Sequence, residues 1–84
     1  MLHTYRKTAT IQAEPFDGTQ TMMVKYGIFD HPEAHYFMDK PLYTLKTKEG
    51  DMEVKPYDYI ATGVDGEHWV IANDIFRKTY ERCD

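Results

Sequence analysis

Serine is absent from this 84-residue chain, and there is one cysteine, Cys83. A serine nucleophile is therefore excluded. A cysteine nucleophile would have to sit at the far end of the chain, away from any scaffold that could orient a base beside it. A single thiol also forbids an internal disulfide. With no signal-like opening and no apolar run long enough to span a bilayer, the expected setting is a reducing cytosol. There is no glycine-rich phosphate loop, because Gly63-Val64-Asp65-Gly66 is too short and reads as a hairpin turn. There is no internal repeat, no linker and no low-complexity stretch, and the length suits one small domain over residues 1–84. Basic excess is lacking as well. The net charge is -4, and the first 29 residues are one positive charge in excess, which leaves five negative charges for the remainder. A dedicated nucleic-acid binder would show a basic face, so the acidity fits solubility or a partner with a basic surface.

What is present is β-forming and aromatic. Hydrophobic residues make up 42% of the chain and mean hydropathy is -0.65, values of a folded soluble protein, and seven tyrosines supply amphipathic rings. Residues 43–80 organise the rest. Leu42–Thr47, Met52–Lys55, Tyr59–Thr62 and His68–Ala72 read as strands. The turn signals between them are Glu49-Gly50-Asp51, Pro56-Tyr57-Asp58 and Asp65-Gly66. This spacing predicts an antiparallel meander. Upstream, Thr8–Ala13 alternates, with Ala9, Ile11 and Ala13 on one face, and reads as a half-buried strand ended by Pro15. Thr19 is placed to cap a helix over Gln20–Tyr26, closed by Gly27. Seven residues cannot hold a helix unaided, so it must pack on the sheet. Asp30–Glu33 reads as a turn and Ala34–Met38 as another strand. Asn73 or Asp74 would cap a helical turn over Ile75–Lys78, and Thr79–Glu81 would return to the sheet as an extended stretch. The expected fold is α+β and β-rich: a small curved antiparallel sheet or partly open barrel of about five strands, with one short helix and a C-terminal helical turn. A core this small is marginal, and a homo-oligomer would supply the missing stability.

Candidate sites are sparse. His31 and His35 are four apart among Asp30 and Glu33, a zinc-like spacing on a helix, but Pro32 interrupts it and an exposed loop is the plainer reading. Glu67 and His68 are adjacent, so on a strand they point to opposite faces and cannot form an acid–base pair. Asp58 and Asp74 read as structural, one satisfying turn donors and the other capping. No cofactor is expected. Trp69, the largest apolar group of the most regular strand, is expected in the core. The face opposite the core would present Tyr36, Tyr43, Tyr57 or His68 to a partner, and Glu49, Asp51 and Glu53 flank the hairpin turn at Gly50 as an acidic contact surface.

Two ends of the chain resemble a known group. Val54, Pro56, Asp58, Tyr59, Ile60, Gly63, Val64, Gly66 and Glu67, followed by Asp74, Ile75, Phe76, Thr79, Tyr80 and Glu81, match the ending of small PGDYG-like phage and prophage proteins. Tyr5-Arg6-Lys7, Ile11, Ala13, Phe16 and Gly18 match their opening. Residues 19–41 are unmatched. The resemblance implies phage origin and a small β-rich domain but no activity. Two departures stand out. Tyr57 replaces the glycine that follows proline, and the family's Pro-Cys-Lys-Pro is Val70-Ile71-Ala72-Asn73 here. If the turn is type II, its third position requires φ > 0 and disfavours tyrosine by roughly 1 kcal/mol or more.

The expectation is a non-catalytic phage accessory protein, active in the cytoplasm of the infected bacterial host. It would bind and inhibit a host protein, for example as an anti-CRISPR or anti-restriction factor. The alternative is an oligomeric sponge for a nucleotide signal, which would need a pocket with Tyr or Trp stacking, Trp69 among them, and a positive group such as Arg6, Lys7, Arg77 or Arg82 for phosphate. An enzyme is the least supported reading, since the nucleophile and metal inventories are poor. Neither nucleic acid nor membrane is an expected partner.

Overall fold

The computed structural model describes residues 1–6, 8–35 and 41–84. Among these residues six strands and two α-helices follow one another as β1 (Gln12–Pro15), α1 (Gln20–Tyr26), β2 (Ile28–Asp30), β3 (Tyr43–Thr47), β4 (Gly50–Val54), β5 (Tyr59–Thr62), β6 (His68–Ile71) and α2 (Asn73–Thr79). A short 3-10 helix over Pro32–His35 follows β2. The strands form two three-stranded antiparallel sheets, ordered β1-β5-β6 and β2-β3-β4. The fold is thus α+β and β-rich, but it is neither one continuous sheet nor a barrel. The predicted meander breaks at Pro56-Tyr57-Asp58. Proline has no N–H to continue the ladder, so this turn carries the chain from the second sheet to the first instead of pairing β4 with β5.

The core lies between the sheets. Ile60 on β5, Leu45 on β3, Val54 on β4 and Ile28 on β2 meet Met22 of α1 and Phe16. Phe16 is wholly buried, and the Tyr43 ring meets it edge-on at 5.0 Å. Alternation sets the faces. Ile60 stands opposite Val70, and both turn towards the core. Trp69 stands opposite Ala61, one residue out of phase, and therefore lies on the other face of the sheet. Trp69 is half-buried and stands outside the core cluster, which corrects the expectation of a core position.

Helix α1 forms as its ends dictate. The Thr19 hydroxyl accepts from Met22 N–H at 3.3 Å, and Gly27 closes the helix at φ 69°, donating to the Met23 carbonyl. Asp17 holds the cap itself: the Thr19 N–H and hydroxyl both donate to its Oδ1, at 2.9 and 2.7 Å. These bonds, the side-chain one first, pull the Asp17 carboxyl below its usual range.

Four other expectations are corrected. The first strand begins at Gln12 rather than Thr8. Residues 28–30 pair as β2, and 32–35 form the 3-10 helix, so this stretch is more than a turn. Helix α2 begins at Asn73 with Ala72 in the N-cap position and no side-chain cap bond, so neither Asn73 nor Asp74 caps it. Thr79 is helical, and residues 80–84 add no strand. The part of the predicted Ala34–Met38 strand beyond His35 lies outside the described residues.

Candidate functional site

Two places carry unusual chemistry. The first is the turn between β4 and β5. The Asp58 N–H donates to the Lys55 carbonyl at 3.0 Å, which closes a four-residue turn with Pro56 in its second position. Tyr57, in the third, has φ 74° and is the one non-glycine residue with positive φ among those described. Proline followed by a left-handed residue defines a type II turn. The turn has kept the geometry that glycine prefers although tyrosine occupies it. Its surroundings impose that geometry. Tyr57 N–H donates to the Phe16 carbonyl at 2.8 Å, Phe16 N–H donates to the Asp58 carbonyl at 2.7 Å, and the Asn73 amide donates to the Tyr57 carbonyl at 2.8 Å. The Asp58 carboxylate accepts from Lys55 N–H at 3.1 Å and Asn73 N–H at 3.4 Å, the structural role expected of it. The backbone of Tyr57 is thus pinned from two sides while its side chain stays outside: the residue is 71% exposed.

The second place is the flank of β1. Glu14 on β1 meets Lys25 of α1 at 3.0 Å. The Tyr26 hydroxyl first and the Lys25 ammonium second hold the Glu14 carboxyl below its ordinary range. Lys25 is held above its own, chiefly by Glu14. Burial first, then the Glu14 carboxylate, pushes the Tyr26 phenol up. The Tyr26 ring stands edge-on to His68 at 5.0 Å, and His68 Nδ1 shares a 2.9 Å hydrogen bond with the Thr62 hydroxyl. This network fastens α1 to the face of β5 and β6. Beside it runs an open groove of about 990 Å³ bounded by β1, by the rings of Tyr59, Phe76 and Tyr80, and by the C-terminal residues. Chemically, Glu14 is kept ionised and already paired, which makes it a poor general base.

The structure distributes the sequence-predicted residues widely. Glu49, Asp51 and Glu53 are exposed around the β3–β4 turn, but Lys46 stands opposite Asp51 and Lys55 lies 3.6 Å from Glu53. The patch is therefore of mixed sign rather than acidic. Tyr43 belongs to the core packing and is not a presented ring. His68 is committed to Thr62 and Tyr26. Tyr36 and Lys7 lie outside the described residues. Arg6 and Arg77 are exposed, and neither they nor Trp69 borders the groove; of the groups expected for a nucleotide, Arg82, paired with Asp84, and tyrosine rings lie there. His31 is half-buried rather than an exposed loop residue: its Nε2 lies 2.9 Å from the Thr44 hydroxyl and its Nδ1 lies 3.5 Å from Glu33. Among the described residues no group of three or more His, Cys, Asp or Glu side chains could hold a metal ion. No helix there is long and apolar enough to cross a membrane.

Lys25 and Tyr26 lie 11 and 12 residues from Glu14, beyond any local spacing rule, so the sequence carries no signal for this group. Known family models, curated proteins and solved structures offer no match to this chain.

Proposed function

We propose that this chain is a non-catalytic accessory protein that binds and inhibits a protein of a bacterial host, with Tyr57 at the centre of the contact. The observation that carries the reading is the pairing of strain with exposure at Tyr57. A left-handed tyrosine costs roughly 1 kcal/mol or more, and a ring that is 71% exposed returns little of it through packing within the fold. The advantage of a ring at this position then lies outside the fold. A tyrosine on a backbone pinned by Phe16 and Asn73 loses little freedom on binding, which is what a contact hot spot requires. The likeness of both chain ends to small phage proteins supports the setting, the cytoplasm of an infected bacterium, and a defence component as the class of target.

Glycine at position 57 provides the test, because it suits the turn and removes the ring. Immobilised wild type and Tyr57→Gly are each exposed to bacterial lysate, and retained proteins are identified by mass spectrometry. The expected outcome is a protein held by the wild type and lost from a Tyr57→Gly variant that melts no lower. Identical retention by the two would remove Tyr57 from the contact and the reading with it.

A further inference from the structure

The rings at the C-terminal helix form a column with one open end. Tyr59 of β5 stacks on Phe76 with centroids 3.8 Å apart and planes 13° from parallel, and Phe76 stacks on Tyr80 at 5.0 Å and 16°. All three border the groove beside β1. Tyr80 has one face against Phe76 yet is 39% exposed. Tyr80 lines the groove, and Phe76 occupies one of its two ring faces, which leaves the other as the candidate stacking surface.

We propose that this open face is the floor of a binding site for an uncharged planar heterocycle of nucleobase size, such as a purine nucleoside. The parallel column selects a flat ring, since a further member must adopt the same offset-stacked arrangement as the rings beneath it. The charges select against phosphate. The acids bordering the groove, Glu14, Glu81 and Asp84, outnumber the bases Lys25 and Arg82, and each base is already engaged, Lys25 by Glu14 at 3.0 Å and Arg82 by Asp84 at 2.8 Å.

The polar rim needed for a heterocycle edge comes from β1, the edge strand of its sheet. Phe16 N–H bonds inward to Asp58. By alternation Glu14 and Gln12 also bond inward, while Ala13 and Pro15 direct their backbone groups outward. Proline there forfeits no ladder bond, and the N–H and C=O of Ala13 remain as a donor–acceptor pair on the outer edge. The groove, at about 990 Å³, is large enough for a nucleoside.

The test uses the full chain with isotope-labelled tyrosine and phenylalanine rings, titrated with adenosine and, separately, with adenosine monophosphate. Stacking platforms tolerate any base, so adenosine is a sufficient probe. Ring-current shifts at Tyr80 and Phe76 are expected, with adenosine bound more tightly than its phosphate and the gap narrowing as salt screens the acids. Tyr80→Leu should weaken adenosine at least about fivefold, whereas Tyr80→Phe, which keeps the plane, should bind as the wild type does. Unmoved Tyr80 resonances at millimolar adenosine would overturn the proposal, as would tighter binding of the phosphate or a folded Tyr80→Leu variant of unchanged affinity. If Tyr80→Leu fails to fold, the wild-type ring shifts and the nucleoside-to-nucleotide ratio decide the matter.

Discussion

The side-chain amide of Asn73 donates to the carbonyl of Tyr57 at 2.8 Å, so the first residue of α2 is bound to the one non-glycine residue of positive φ among those described. The sixteen-residue separation makes this a tertiary clamp. It helps hold the turn in a geometry that tyrosine disfavours. Replacing Asn73 by Ala should release that clamp and leave the Tyr57 carbonyl to water. We expect a loss of about 1 kcal/mol in chemical denaturation, together with faster hydrogen exchange over residues 73–79.

Tyr57→Gly should stabilise the protein slightly or leave its denaturation midpoint unchanged. Relief of the left-handed strain, roughly 1 kcal/mol, opposes the added chain entropy of glycine, which is of similar size. Tyr57→Ala keeps the strain and should melt below the glycine variant. A loss above about 1 kcal/mol in Tyr57→Gly would mean that the ring contributes to packing despite its exposure.

Phe16→Ala should be the more damaging of two aromatic truncations. Phe16 is wholly buried against Tyr43 and the core of both sheets, and its loss should cost about 3–5 kcal/mol, comparable to the whole stability of a small domain. Trp69→Ala acts on a half-buried ring on the opposite face of its sheet and should leave more of the protein folded at equal denaturant. A reversed order in urea melts would place Trp69 in the principal core after all.

Acid should loosen α1. The Glu14 carboxyl sits below its ordinary value of 4.5 in the folded chain. Its contribution is present above that value and is lost as pH falls through the lower, folded one. The pair is solvent-accessible, so the effect is small. Tyr26 acts in the opposite range: its phenol is raised above 10.0, so the stability it confers is complete below 10.0 and lost as pH rises through the folded value. Glu14→Gln should flatten the acid limb of the melting temperature against pH, and the two proteins should converge towards the most acid conditions. Parallel curves would show that the Glu14–Lys25–Tyr26 group does not couple to folding.

Reversing Glu49, Asp51 and Glu53 together should change partner association less than Tyr57→Gly does. Lys46 and Lys55 already offset these acids, so the hairpin carries little net field for long-range steering. Association rates over a range of ionic strength, measured on a captured partner, separate the two sites. A strong salt dependence abolished by the triple reversal would move the contact to the β3–β4 hairpin.

What the sequence determines by itself is local. Thr19 and Gly27 bound α1 because capping and a left-handed glycine act within one turn of helix. The four later strands appear within a residue or two of their expected limits because alternation and turn residues act between neighbours. Proline before residue 57 defines a turn in either reading. What only the tertiary structure decides is the partner of each element. Whether β4 continues to β5 in one sheet depends on the pinning of Tyr57 by Phe16 and Asn73, which come from positions far along the chain. Which face of β5–β6 is core depends on the second sheet and α1 covering Ile60 and Val70, and alternation alone is symmetric between the two faces. The ring column and the Glu14–Lys25–Tyr26 group exist for the same reason. Phe76 and Tyr80 lie one helical turn apart and Lys25 and Tyr26 are adjacent, but Tyr59 and Glu14 join them only through packing.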